Sequence, residues 1–173
     1  MALVNTLQEL NDLLKETGQS DRPIYMTSGG FDPLHVGHLR CVQETSGLAN
    51  NSYNHPSNCR GLVVVVVNAD SFLERKKGYA FMPLLERMEI IDAIKGVDYV
   101  VPWETDGDQT VVGAIEILKP KYFTKGGDRF DASTIPEWET CQNVGCEIIT
   151  GVGAGGKIQS SSELVRRAYG KIS

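Results

Sequence analysis

The sequence has few cysteines and no long apolar run. Its four cysteines, Cys41, Cys59, Cys141 and Cys146, form no CxxC pair and lack the spacing of zinc ligands, so separate reduced thiols are expected. The longest apolar run, residues 62–67, is far shorter than the roughly 20 residues that cross a bilayer. No basic segment leads an apolar one at the N-terminus, so we expect no secretion signal, no membrane partner and a cytoplasmic location.

An excess of positive charge is also absent. The chain carries 17 Lys and Arg residues against 22 Asp and Glu residues, a formal net charge of −5. A general affinity for nucleic acid is therefore not expected. With 173 residues, of which 41% are hydrophobic, the chain is long enough to bury one full core.

Short apolar runs alternate with helix-like segments along the chain. Strands are predicted at residues 24–27, 61–68, 97–101, 122–124 and 147–150, and a segment with helical spacing follows each of them. Five valines in the second run indicate a strand that is covered on both faces. We therefore predict an α/β domain at residues 21–173 with a doubly wound, five-stranded parallel sheet. Residues 1–20 are predicted to be an appendage, with an extra helix at residues 3–15.

The most patterned stretch joins the first predicted strand to the first predicted helix, at residues 25–40. Gly29 and Gly30 end the strand, a tight turn holds Asp32, and the helix begins with His35 and His38. Glycines allow a close approach of a ligand, and a helix N-terminus offers N–H groups to an anion. The stretch predicts a phosphate-binding turn that contains two imidazoles. Purely structural histidines, or a transition-metal site that also uses Asp32, are the alternatives.

This stretch resembles the HxGH signature of the nucleotidylyltransferase superfamily. Similar motifs follow in register at residues 65–70, 86–91, 125–128 and 160–162, and the KGGD form of the third looks most like the adenylyltransferase domain that acts on heptose 1-phosphate. The resemblance implies a Rossmann-like fold, a homodimer and transfer of a nucleoside monophosphate from ATP or CTP to a phosphorylated small molecule. Pyrophosphate is released, and Mg²⁺ is expected to arrive with the triphosphate.

Such a transfer depends on positioning and electrostatic stabilisation, because an acceptor phosphate is already ionised near neutral pH. His35 and His38 are therefore expected to donate hydrogen bonds to the triphosphate, as the resemblance also implies. Lys77 is assigned to catalysis with them and is placed in a basic loop at residues 74–78. A solvated charged face, or Lys76 in the same role, is the alternative.

The other site residues are assigned through the resemblance. Asp32 and Asp70 are expected to contact the acceptor, although Asp32 could orient the magnesium ion instead. Arg87 could form only a surface ion pair with Glu86 or Glu89, and residues 125–128 could be a simple turn. The residues expected at the nucleotide are Gly29, Gly30, Phe31, Gly37, Arg87, Lys125, Gly126, Asp128, Ser160, Ser161 and Ser162, and no permanent metal ligand is predicted.

The glycine-rich stretch at residues 151–157 nearly fits two other phosphate loops. It matches GxxxxGK, but Ile158 stands where a P-loop needs Ser or Thr, and the strand and acidic residue that should follow GxGxxG are missing. We therefore expect a flexible loop that leads into a serine-capped helix. The leading hypothesis is adenylyl transfer to a sugar 1-phosphate. A cytidylyltransferase acting on glycerol 3-phosphate, an inactive nucleotide-binding regulatory module and a P-loop phosphotransferase are the alternatives.

Overall fold

A five-stranded parallel sheet forms the centre of the structure, a computed structural model that describes residues 3–52, 59–107, 110–127, 131–153 and 158–172. The strands lie in the order β3-β2-β1-β4-β5, and each neighbouring pair is parallel. This confirms the predicted fold class. The strands are β1 (Ile24–Gly29), β2 (Leu62–Asn68), β3 (Tyr99–Trp103), β4 (Tyr122–Gly126) and β5 (Glu147–Val152).

Helices cover both faces of this sheet. Val64 and Val66 of β2 pack with residues of α1, α5 and α6, whereas Val63, Val65 and Val67 pack with α2 and α4. None of the helices in the described ranges is long and apolar enough to cross a membrane. The helices are α1 (Leu7–Glu16), α2 (Val36–Asn50), α3 (Asp70–Lys77), α4 (Leu84–Asp92), α5 (Val112–Leu118), α6 (Trp138–Val144) and α7 (Ser161–Ile172).

The N-terminal helix exists, but its predicted start at residue 3 is wrong. Thr6 caps α1, because its hydroxyl accepts the Glu9 N–H at 3.1 Å. Leu3 and Val4 instead pair with the side of β3 that faces away from β2, and the Val4 N–H donates to the carbonyl of Val100 at 3.0 Å. α1 contributes three buried leucines to the core, and the division at residue 20 stays a prediction.

The predicted basic loop at residues 74–78 is wrong, because most of these residues belong to α3. Asp70 lies in the first turn of this helix, and Arg75, Lys76 and Lys77 lie in its last turn. Both placements suit the helix dipole. Gly78 ends the helix in the left-handed conformation, at a φ of 89°.

The chain leaves β1 for β2 on one side and later returns to β4 on the other side, so the strand order reverses between β1 and β4. In open parallel sheets, a crevice at the carboxyl ends of the strands lies at such a switch point. The loops that follow β1 and β4 carry the glycine pairs noted in the sequence. The fold thus brings residues 29–38 and 125–127 to the same edge.

Candidate active site

A cavity of about 370 Å³ opens at the carboxyl ends of β1 and β4. Its walls come from the turn after β1, the first turns of α2, the loop after β4 and the turn before α7. The sequence-predicted residues that line it are Gly29, Phe31, His35, Gly37, His38, Lys125, Gly126, Ser160 and Ser161. The structure therefore brings the imidazole pair and the serine turn to one cavity.

His35 and His38 use the same ring atom to bind the backbone. The Gly37 N–H donates to Nδ1 of His35 at 3.1 Å, and the His35 N–H donates to Nδ1 of His38 at 3.2 Å. A neutral imidazole that accepts at Nδ1 carries its hydrogen on Nε2. Both rings are therefore set to donate through Nε2, which is the form that a phosphate oxygen requires.

Burial keeps the two imidazoles neutral. Desolvation lowers the pKa of His35. Burial is also the main reason why the pKa of His38 is lowered to about 4, and the positive charges of protonated His35 and of Lys77 contribute to the same shift. The rings stack with their centroids 3.8 Å apart. Because neither ring is charged near pH 7, the pair can stack without repulsion while keeping its two N–H donors.

Two glycines leave room for this arrangement. A Cβ atom on Gly37 would lie 2.9 Å from Cε1 of His35, so a side chain there would displace the ring. The group nearest to that position is thus the imidazole of His35. A Cβ atom on Gly30 would meet Leu73 at 2.7 Å. Phe31, at a φ of 52°, places its ring edge-to-face with His38.

The serine turn before α7 is fastened to the turn after β1. The Ser160 hydroxyl accepts the Glu163 N–H at 3.4 Å, as predicted for a helix cap. The Ser161 hydroxyl donates to the carbonyl of Pro33 at 2.7 Å. This bond joins the first of the sequence motifs to the last one, between residues that are 128 positions apart.

A second cavity of about 340 Å³ adjoins the first and shares Phe31, His38 and Ser161 with it. The other sequence-predicted residues in its wall are Gly30, Asp32, Lys77 and Ser162, and Lys76 also lines it. Most of the predicted site residues thus line one of these two cavities or both, whereas Asp70 and Arg87 line neither.

Asp32 and Lys77 bind each other in the wall of the second cavity. The carboxylate of Asp32 is buried and accepts the N–H groups of Phe81 and Met82 at 2.7 and 2.6 Å. Nζ of Lys77 lies 2.9 Å from the Asp32 carboxylate and 2.7 Å from its carbonyl oxygen. A ligand would therefore compete with Asp32 for Lys77, and the predicted roles of both residues stay predictions.

Arg87 is fully buried, so its alternative interpretation as a surface ion pair with Glu86 or Glu89 is wrong. Its guanidinium donates to the carbonyls of Met82, Gly30 and Asn68 at 2.7–2.9 Å and pairs with the carboxylate of Asp70. Arg87 thereby joins the ends of β1 and β2 to the start of α4. Direct contacts of Arg87 with the nucleotide and of Asp70 with the acceptor stay predictions.

The end of β4 contributes Lys125 and Gly126, and Gly127 follows the strand. A Cβ atom on Gly126 would lie 3.2 Å from the carbonyl of Val152, and Gly127 has a φ of 87°. Asp128, which was predicted to bind the nucleotide, lies outside the described residues. So do residues 154–157 of the glycine-rich stretch noted in the sequence.

One face of α2 was overlooked in the sequence. Arg40 and Cys41 line the first cavity, and the carboxylate of Glu44 accepts the Gly153 N–H at 2.7 Å. These residues follow Gly37 at spacings of three, four and seven, which place them on its side of the helix. Counting helical spacings from Gly37 in the sequence could have identified these three residues.

Within the described residues, no group of three His, Cys, Asp or Glu side chains is arranged to hold a metal ion. The histidine pair presents N–H donors to the cavity, and hydroxyl groups face it from the serine turn. These donors suit phosphate oxygens, whereas Mg²⁺ is held by oxygen acceptors.

Comparisons with known proteins show the family to which the chain belongs. A family model described as cytidylyltransferase-like matches residues 26–152. The bifunctional protein HldE of Edwardsiella ictaluri is 33% identical over 127 residues, which are 72% of this chain and 24% of that protein. Its namesake from Hahella chejuensis is 29% identical over 145 residues, 83% of this chain and 27% of that protein. The chain thus spans about a quarter of the length of these relatives.

A solved structure has the same fold. The lipopolysaccharide core biosynthesis protein of Thermoplasma volcanium superposes with a TM-score of 0.59 at 23% identity, over 76% of this chain and 97% of that one. This likeness concerns the fold alone, because the identity is low.

Proposed function

Because the chain belongs to the cytidylyltransferase-like family and is a nucleotidyltransferase, we propose that it transfers the adenylyl group of ATP to a sugar 1-phosphate of the heptose type. Pyrophosphate is the second product. The attacking atom is a phosphate oxygen of the acceptor, and the bond that breaks joins the α-phosphorus to the bridging oxygen of the pyrophosphate. No proton has to be removed from the acceptor, because its phosphate is ionised at neutral pH.

The observation that supports this proposal most directly is the fixed tautomer of the two histidines. Neutral rings that accept a backbone N–H at Nδ1 leave two Nε2–H donors in a cavity whose other wall is the serine turn. Negative charge on the triphosphate increases toward the leaving group as the bond breaks. Preorganised donors at that position stabilise the transition state without any reorganisation.

The N-termini of two helices support the same role. α2 begins at the histidine pair, and α7 begins at Ser161, so both helix dipoles place partial positive charge at the cavity. Lys125 adds a full positive charge in its wall. We propose that Mg²⁺ enters with the triphosphate, held by phosphate oxygens and water, and shields the charge of the phosphates.

The choice of ATP and of a sugar phosphate rests on resemblance. Lys125, Gly126, Gly127 and Asp128 have the form typical of the heptose 1-phosphate adenylyltransferase domain. Two relatives are named bifunctional protein HldE, and the structural neighbour is named for lipopolysaccharide core biosynthesis. A homodimer belongs to the same proposal, and light scattering of the purified protein would test it.

The decisive experiment is a matrix of substrates. The protein is incubated with each of the four nucleoside triphosphates, Mg²⁺ and pyrophosphatase, over a panel that includes heptose 1-phosphates and glycerol 3-phosphate. We expect phosphate release with ATP and a heptose 1-phosphate, and its loss in the His38→Ala variant. Release with CTP and glycerol 3-phosphate would replace the proposed substrates, and tight nucleotide binding without release would favour a regulatory module.

A further inference from the structure

A buried carboxylate lies behind the wall of the first cavity. Glu137 directly precedes α6 and is 4% exposed. Its Oε1 accepts the Val111 N–H at the long distance of 3.4 Å. Its Oε2 is inaccessible to solvent and has no hydrogen-bond partner among the described residues. A carboxylate in such a place requires an opposite charge close by.

Lys125 supplies that charge. Its Nζ lies 3.6 Å from Oε2 of Glu137, and the side chain of Lys125 is 24% exposed. The same ammonium lies 5.1 Å from the centre of the Phe123 ring, over its face. Lys125, at the end of β4 and in the wall of the first cavity, therefore has a buried negative charge beside its ammonium and an aromatic ring beneath it.

The distance between the two charges matters for function. At 3.6 Å the pair is longer than a charge-assisted hydrogen bond, so Glu137 attracts the ammonium without fixing the direction of its N–H bonds. A lysine side chain otherwise has many rotamers and would be distributed over them. The attraction therefore limits the positions that the ammonium of Lys125, a residue of the cavity wall, can take.

We propose that Glu137 is a positioning residue for nucleotidyl transfer, which acts by holding Nζ of Lys125 where it contacts the triphosphate. This inference rests on the proposed function, because it assumes that the first cavity binds the nucleotide. Glu137 itself is behind the cavity wall and touches neither substrate. Its effect therefore depends entirely on the presence of Lys125.

A double-mutant cycle tests this dependence. Glu137→Gln keeps the shape of the side chain and removes the charge, Lys125→Met removes the ammonium, and the double variant removes both. We expect each single variant to reduce kcat roughly tenfold and to weaken the Kd for ATP with Mg²⁺. In the Lys125→Met background, Glu137→Gln should have no further effect, because the group that it positions is gone.

Stability separates this role from a structural one. Lys125→Met should lower the melting temperature, since it leaves Glu137 buried without a counter-charge, and adding Glu137→Gln should restore the melting temperature but not kcat. The matched control is Glu139→Gln, an exposed carboxylate on the same helix, which should leave every value unchanged. The inference would be overturned if the effects of the two single substitutions on kcat and Kd multiplied in the double variant. Full activity of Glu137→Gln would also overturn it.

The binding measurement keeps the two proposals distinguishable. If the wild-type protein binds ATP but transfers nothing to any acceptor, the proposed function fails. The double-mutant cycle, measured through the Kd for ATP, still decides the role of Glu137 in that case. If it binds no nucleoside triphosphate at all, both proposals fail. If it transfers nucleotide and the cycle shows independent effects, only the role of Glu137 is wrong.

Discussion

The imidazole rings of His35 and His38 stack with their centroids 3.8 Å apart and their planes inclined by 24°. Each ring accepts one backbone N–H at Nδ1: His35, which caps α2, accepts that of Gly37, and His38 accepts that of His35. The backbone of the first helical turn therefore determines the tautomer of both catalytic candidates. The following predictions test this relationship and the framework around it.

Removal of either imidazole should affect the reaction rate more than the binding of the triphosphate. We expect His35→Ala and His38→Ala to reduce kcat about 10²–10³-fold, because each removes one preorganised donor to the transition state. Pyrophosphate release under saturating substrates measures kcat. Gln43→Ala, on an exposed position of the same helix, is the control. An unchanged kcat in His38→Ala would contradict the assigned role.

The stability of the protein should fall as the pH is lowered from 6.5 to 4. Between these values the unfolded chain protonates His38, whose ordinary pKa is about 6.5, whereas the folded protein does not until about pH 4. Since the unfolded state binds more protons, the free energy of unfolding decreases, by about 3 kcal/mol for this group. The contribution is fully present above pH 6.5.

Urea unfolding of the wild-type protein and of His38→Gln at pH 7, 5.5 and 4.5 would measure this effect. The carboxylates titrate in both proteins, so the difference between the two isolates the imidazole. We expect the variant to lose less stability on acidification. The same pH dependence in both proteins would show that His38 is protonated equally in the folded and unfolded states.

Gly37 and Gly47 lie on the same helix and should respond oppositely to alanine. A Cβ atom on Gly37 would lie 2.9 Å from the ring of His35, so Gly37→Ala should turn the ring away and reduce kcat at least tenfold. A Cβ atom on Gly47 would meet nothing within 4 Å, so Gly47→Ala should raise the free energy of unfolding by about 0.5–1 kcal/mol. Thermal unfolding together with the rate assay distinguishes the two, and a fully active Gly37→Ala would refute the steric argument.

Arg87 should contribute strongly to the stability of the folded protein. Arg87→Met would leave three carbonyl groups and the Asp70 carboxylate without their donor, at a cost of about 3–5 kcal/mol. Asp70→Asn should cost about 1 kcal/mol or less, because the Asp70 side chain is 41% exposed and water can replace part of the interaction. Guanidinium unfolding curves would measure both, and equal losses would show that the guanidinium is not the centre of this network.

Much of the fold was predictable from the sequence because the strands are buried on both faces. The five valines of β2 indicate a buried strand, and the glycines and histidines after β1 identify one end of the site. α3 was missed because its buried residues, Phe72 and Leu73, are adjacent and do not repeat at helical spacing. The charges at its two ends and Gly78 were the available signal.

The partners of the site residues could not be predicted in the same way. Glu137 reaches Lys125 only because the segment before α6 returns across the end of β4, and no local pattern encodes that return. The pairing of Asp32 with Lys77 likewise joins residues 45 positions apart. Sequence motifs pointed to residues that face the cavity, whereas the buried groups that hold these residues could be found only from the structure.

The short pairing of Leu3 and Val4 with β3 has a consequence for the behaviour of the protein at high concentration. An outer strand with open N–H and C=O groups is a template on which another chain can add a strand. The N-terminal segment occupies part of that template through the bond from Val4 to Val100. We therefore expect it to hinder the addition of another chain at this edge, a role quite separate from catalysis.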